Sequence, residues 1–140
     1  MKGLMNGLQK LKTNKPMKTA FIIILIHWIA DFVMQTDKMA KGKSTNWYDL
    51  LSHTLTYSTI WCFAILFLWD QTHNLRWILI NTFSFAMITF VAHTITDYFT
   101  SRLNSKLWAK GDVHNFFVSI GFDQVLHYGQ LFLTFYLLNK

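Results

Sequence analysis

Four histidines and three aspartates in this chain are spaced for metal or acid–base chemistry. In "HWIADFVMQ" (27–35), His27, Asp31 and Gln35 follow one another at intervals of four. "HTITD" (93–97) sets His93 four residues before Asp97, and "DQVLH" (123–127) reverses the order, with Asp123 four before His127. On a helix this interval stacks side chains one turn apart on one face, so each pair aims an imidazole and a carboxylate at a common point. His53 stands alone. Such ligands suit zinc first, with iron or manganese as alternatives, and no thiolate cluster favours copper(I), since Cys62 is the only cysteine. The lone Cys62 also excludes a disulfide framework.

The candidate metal ligands His27, Asp31, His53, His93, Asp97, Asp123 and His127 outnumber the three or four that one catalytic zinc takes. Two arrangements stay open: a bridged pair of ions, or one ion whose other neighbours orient its ligands. Gln35, Tyr57 and Gln124 are candidates for that orienting role or for contact with substrate. The chain has no glutamate, so the catalytic base is expected among Asp31, Asp97 and Asp123. No Ser-His-Asp arrangement competes with this set. His73 and His114 are assigned to loops.

What positions these residues is a set of four apolar stretches, 19–36, 50–69, 76–98 and 115–138. Each approaches the ~20 residues that a helix needs to cross a bilayer. The single proline, Pro16, precedes the first of them, and Trp47, Trp69, Trp77 and Trp108 fall near the ends, where an interfacial aromatic belt belongs. Asp31-Phe32-Val33 makes a poor processing site, so the first stretch is expected to stay as a span rather than be cleaved as a signal peptide. The expected fold is all-α, an antiparallel four-helix transmembrane bundle over 19–140. Residues 1–18 form a basic tail or a short interfacial helix, with Leu4, Leu8 and Leu11 on one face among five lysines.

Composition agrees with a membrane address. Of 140 residues, 52% are hydrophobic and only 14% charged, too apolar for an ordinary soluble domain. The formal charge of +6 resides in tails and loops, which suits anionic lipid headgroups, and no basic run or motif indicates nucleic acid. Six cations (Lys38, Lys41, Lys43, Arg102, Lys106, Lys110) fall on one side and seven on the other, so the positive-inside rule leaves the orientation undetermined.

Measured from each stretch's midpoint, His27 and His127 lie near the membrane centre. Asp31 and Asp123 sit about 6 Å toward the side of loops 37–49 and 99–114, and His53 and His93 about 10 Å. Gln35 and Asp97 lie nearer that interface. Every ionisable group within the spans therefore falls in one half. Packing glue has no reason to gather at one level from four helices, and intramembrane ionisable residues are by default functional.

The set "HWIADFVMQ", His53, "HTITD" and "DQVLH" resembles an uncharacterised family of small four-span bacterial and phage membrane proteins, catalogued as a domain of unknown function. The resemblance covers roughly 22–136 and carries His27, Asp31, Gln35, His53, His93, Asp97, Asp123, Gln124 and His127. It implies a four-helix membrane protein and no established activity. Thr100 stands where members often carry a basic residue. The polar architecture is also loosely similar to bacterial membrane-bound metal-dependent hydrolases.

The expected protein is thus a multi-pass protein of the bacterial cytoplasmic membrane, a metal-dependent hydrolase acting on a lipid or lipid-linked substrate. Its partner would be a membrane lipid with an anionic headgroup. The alternative is a non-enzymatic membrane protein: a metal-stabilised interaction partner, a phage protein acting on the host membrane, or a conduit for protons or metal ions. Oligomeric state is not legible.

Overall fold

A computed structural model describes residues 16–69 and 71–140. The basic segment 1–15, read from sequence as tail or interfacial helix, lies outside the described residues; 16–18 already belong to the first helix. The described chain is all-helical, with no strand. Helix α1 (Pro16–Val33) leads into the short α2 (Asp37–Gly42), followed by α3 (Trp47–Leu66), α4 (Leu75–Ala109) and α5 (Val113–Leu138).

Side-chain caps set most of the boundaries. Thr36, Asn46, Asn74 and Asp112 each accept a hydrogen bond from a backbone N–H in the first turn of α2, α3, α4 and α5, satisfying donors that have no partner inside the helix. Gly111, at φ 70°, supplies the left-handed residue that turns α4 into α5. The last turn of α1 is a π-helix over Ile29–Val33, closed by Met34 N–H donating to the Ile29 carbonyl. That wider turn carries Asp31.

Three expectations are corrected here, the first being that His114 lies in a loop: it is the second residue of α5. The region 99–114 is not mainly loop: α4 continues to Ala109, because nothing in 99–109 breaks a helix although its polarity ends the hydrophobic run. The region 37–49 is not a plain loop either, since Thr36 nucleates α2.

Helix α3 packs on α4, α4 on α5, and the π-turn of α1 on α3. Trp69, just after α3, donates from its indole to Thr82 near the start of α4, and Thr94 further along α4 donates to Thr54 in α3. An aromatic cluster of Trp61, Trp69, Phe85 and Phe135 fills the end away from α2, with Trp69 and Phe135 stacked at 5.4 Å.

Burial is inverted relative to a water-soluble protein. Among the described residues, buried polar side chains outnumber buried apolar ones, while large hydrophobic side chains along α1, α3, α4 and α5 face outward. Helices Pro16–Val33 and Leu75–Ala109 are long and apolar enough to cross a membrane, with mean hydropathies of 1.5 and 1.7.

Candidate metal centre

The buried polar set converges on one point. Each of α1, α3, α4 and α5 contributes: Asp31, His53, His93 with Asp97, and Asp123 with His127, all buried. His93 and His127 are equidistant in sequence from Lys110, and so are Asp97 and Asp123. The turn at Gly111 therefore folds the two motifs onto each other as mirror images. This corrects the depths inferred from hydrophobic midpoints, which put Asp97 far above His127. Their actual separation, Asp97 Oδ1 to His127 Nε2, is 3.2 Å. The hydrophobic run ends at residue 98, eleven residues before α4 does, so its midpoint does not mark the middle of the helix.

The Nε2 atoms of three histidines face the same carboxylates. His53 Nε2 lies 3.1 Å from Asp31 Oδ1, 3.1 Å from Asp97 Oδ2 and 3.1 Å from His93 Nε2. His93 Nε2 lies 3.5 Å from Asp31 Oδ1 and 3.7 Å from Asp97 Oδ2, and His127 Nε2 lies 3.4 Å from Asp123 Oδ1. For bonds of about 2.0–2.1 Å, the edge of a tetrahedron of ligands is about 3.3 Å, within the range of these separations. Three overlapping groups could each hold a metal ion: Asp31–His53–His93, His93–Asp97–His127 and Asp31–Asp123–His127.

The angles carry further information. Asp31 Oδ1 is buried and has no hydrogen-bond partner, although two imidazole nitrogens stand within 3.5 Å of it. A buried carboxylate oxygen left without a donor costs free energy. Atoms arranged as corners of a coordination shell show this combination of short separations and poor hydrogen-bond angles, so the residues present fit a cation.

The surroundings fix the rings. Tyr57 stacks on His93 at 3.9 Å and 15°, and His127 lies on it at 4.2 Å and 28°. His93 Nδ1 has no partner, so stacking and the Nε2 contact with His53 orient this ring. His27 belongs to none of the three groups. Its Nδ1 meets Tyr57 Oη at 2.7 Å and its Nε2 meets Gln124 Oε1 at 2.8 Å, with Asp31 Oδ2 further off at 3.7 Å. The Gln124 amide donates to Asp123 Oδ2 at 3.1 Å and lies 3.4 Å from Asp31 Oδ2, so it ties α5 to α1. Gln35 does not stack under Asp31. Helix α1 ends at Val33, and Gln35 instead lines a cavity of about 630 Å³ whose walls also include Asp31, Lys43, Asp123 and Gln124.

Two participants, Lys43 and Thr100, are not among the residues that the motif spacing singles out. Lys43 was grouped with the headgroup-facing cations, yet its side chain is only 19% exposed and its Nζ donates to Asp97 Oδ2 at 2.8 Å. Burial pulls the Lys43 ammonium down, but the neighbouring Asp97 and Asp31 carboxylates outweigh it and hold its pKa above the ordinary lysine value. Gly42 permits this approach, because a Cβ there would overlap the Asp49 carboxylate. Nothing in the spacing of Lys38, Lys41 and Lys43 distinguishes the inward lysine. Thr100 also participates, donating from Oγ1 to Asp123 Oδ1 at 2.6 Å.

Comparisons with curated proteins and with solved structures gave no match. Residues 19–140, which include every residue of this cluster, match the family described as "Protein of unknown function (DUF3307)", and the chain belongs to that family.

Proposed function

We propose that this protein is a multi-pass protein of the bacterial cytoplasmic membrane whose four long helices form an antiparallel bundle around one divalent metal ion. Its proposed activity is hydrolysis of a phosphate ester in a lipid or lipid-linked substrate. The single observation that carries the metal is the buried Asp31 Oδ1, which faces two imidazole nitrogens at 3.1 and 3.5 Å without a well-aligned hydrogen bond to either. Outward apolar faces around a polar interior support the membrane setting, because hydrocarbon is the solvent in which that distribution is stable.

Charge favours one ion over two. Asp31, Asp97 and Asp123 bring three negative charges and Lys43 returns one positive. With neutral imidazoles the remainder is balanced by one divalent cation, and a second would leave an unpaired excess in a medium where that is costly. In this proposal three or four of His53, His93, His127, Asp31 and Asp97 would hold the ion and leave a position open, the others orienting the ligands. Zinc is the first candidate, iron and manganese the alternatives. A divalent ion there would polarise a phosphoryl oxygen and acidify coordinated water.

Asp123 is the proposed base. It lines the cavity, whereas Asp97 is turned toward Lys43 and His127, and the Thr100 hydroxyl and Gln124 amide fix its orientation. Water would add to phosphorus and lose its proton to Asp123 as the bond to the leaving oxygen breaks, and that oxygen would leave as an alcohol on taking up the proton that Asp123 received. His27 and Tyr57 position Gln124 and His93.

Metal analysis of detergent-purified protein tests the proposal. Near-stoichiometric zinc, iron or manganese is expected, reduced at least tenfold in His93→Ala and His127→Ala. Wild-type protein that carries no divalent metal and gains none on incubation would end it. One observation favours the non-enzymatic alternative of a conduit. Gln130 donates to Thr89 and Thr134, so uncharged hydrogen-bonding groups continue past the His/Asp level. Metal-dependent proton or cation flux in liposomes, with no lipid turnover, would select that reading.

A further inference from the structure

The cavity above the cluster holds two amide oxygens with nothing to accept. Gln35 Oε1 and Asn104 Oδ1 are both buried at the atom and without a hydrogen-bond partner, and both residues line the same space of about 630 Å³. Gln35 follows the end of α1, and Asn104 lies on the part of α4 beyond the hydrophobic run, so they approach the cavity from different elements. Exchanging O and N in either amide would put a donor in place of the unpaired acceptor, so a ligand offering both donors and acceptors satisfies either assignment.

From this arrangement we infer that the cavity is a headgroup subsite for a hydroxylated group, a glycerol or a sugar, esterified to the phosphate that the cluster acts upon. Free hydroxyls are the donors that two neutral amide oxygens lack. Lys41 and Lys43 line the cavity together with Asp31 and Asp123, so it is the unpaired amides rather than the charge that favour a hydroxylated headgroup over an ammonium. Trp108 and Phe116, with ring centroids 5.0 Å apart, form an aromatic wall against which the C–H face of a polyol packs. Lys43 stands at the junction, between the amides and the metal ligands, where it would meet the phosphate.

The inference rests on the proposed phosphoester chemistry of the cluster, and the test separates the two. Dihexanoyl phosphatidylglycerol and dihexanoyl phosphatidylmethanol carry the same charge and differ in the headgroup hydroxyls. Their dissociation constants would be measured by thermophoresis on detergent-solubilised full-length protein at low temperature, with products analysed in parallel samples. Wild type is expected to bind the glycerol probe about tenfold more tightly, the scale of one or two added hydrogen bonds. Asn104→Ala and Gln35→Ala, checked for retained metal, are expected to lose most of that preference. Equal binding of the two probes by wild type, or a preference that survives both substitutions, would overturn the subsite. Tighter binding of dihexanoyl phosphatidylethanolamine than of the glycerol probe would overturn it too. A glycerol preference lost in the variants but accompanied by no product would uphold the subsite and count against the hydrolase.

Discussion

Lys43 and Tyr57 show how much of this cluster depends on side chains outside the proposed metal ligands. Tyr57 is fully buried, stacks on His93 and reaches His27 with its hydroxyl. In Tyr57→Phe the stacking survives while His27 Nδ1 loses its partner. The expected cost is about 1–3 kcal/mol of stability, seen as a lower midpoint in thermal unfolding in detergent, with metal retained. Lys43→Met should do the reverse, leaving packing largely intact while removing the cation against Asp97. Because the folded-state pKa of Lys43 is raised, the stabilisation from its charge is complete below the ordinary lysine value of 10.5. It is lost only as pH rises through the higher folded-state value. The difference in unfolding midpoint between wild type and Lys43→Met is therefore expected to be constant from about pH 6 to about pH 9 and to shrink only in stronger alkali. A difference that fell away near neutrality would contradict the Lys43–Asp97 pair.

Helices α2 and α4 place these groups. The α2–α3 connection that carries Lys43 inward has Gly42 packed against Asp49, with no room for a Cβ. Gly42→Ala forces the Asp49 side chain or the connection to move, with an expected loss of about 1–3 kcal/mol. Adding Asp49→Ala should recover part of that loss, a coupling that a double-mutant cycle of unfolding midpoints would read. At the other connection Asp112 caps α5, and hydrogen bonds from the Asn115 side chain and backbone hold its pKa below the usual carboxylate value. The length of α4 also shapes the cavity. Its final turns supply Asn104 and Trp108 to the cavity, and the mirror relation about Gly111 brings His93 to His127. The π-turn in α1 advances Asp31 into the cluster and leaves Gln35 at its mouth, consistent with the frequent placement of such turns at functional sites.

Taken together, the helices form a polar interior wrapped in apolar side chains, and three carboxylates buried within it would repel one another without a cation. Removing the metal with a chelator is accordingly expected to lower the unfolding midpoint strongly. Binding at about a thousandfold excess over Kd contributes about 4 kcal/mol. Addition of the correct divalent ion should restore the midpoint, and an unchanged midpoint in protein verified to have lost its metal would argue that the cluster is held by hydrogen bonds alone.

The amino-acid sequence by itself determined the helical class and the residues that gather, because intervals of four and apolar runs are properties of a single helix. His27, Asp31, His53, His93, Asp97, Asp123 and His127 could all be named from it. The distinction between His27, bonded to Tyr57 and Gln124, and His53, facing two carboxylates, was decided only by tertiary packing. So were the inward turn of Lys43 and the levelling of Asp97 with Asp123. Periodicity specifies which face of a helix a side chain occupies. Where a helix ends, how far it slides along its neighbour and which nitrogen meets which oxygen depend on contacts between segments distant in the chain, here fixed by the Gly111 turn, the Gly42–Asp49 approach and the π-turn at Asp31.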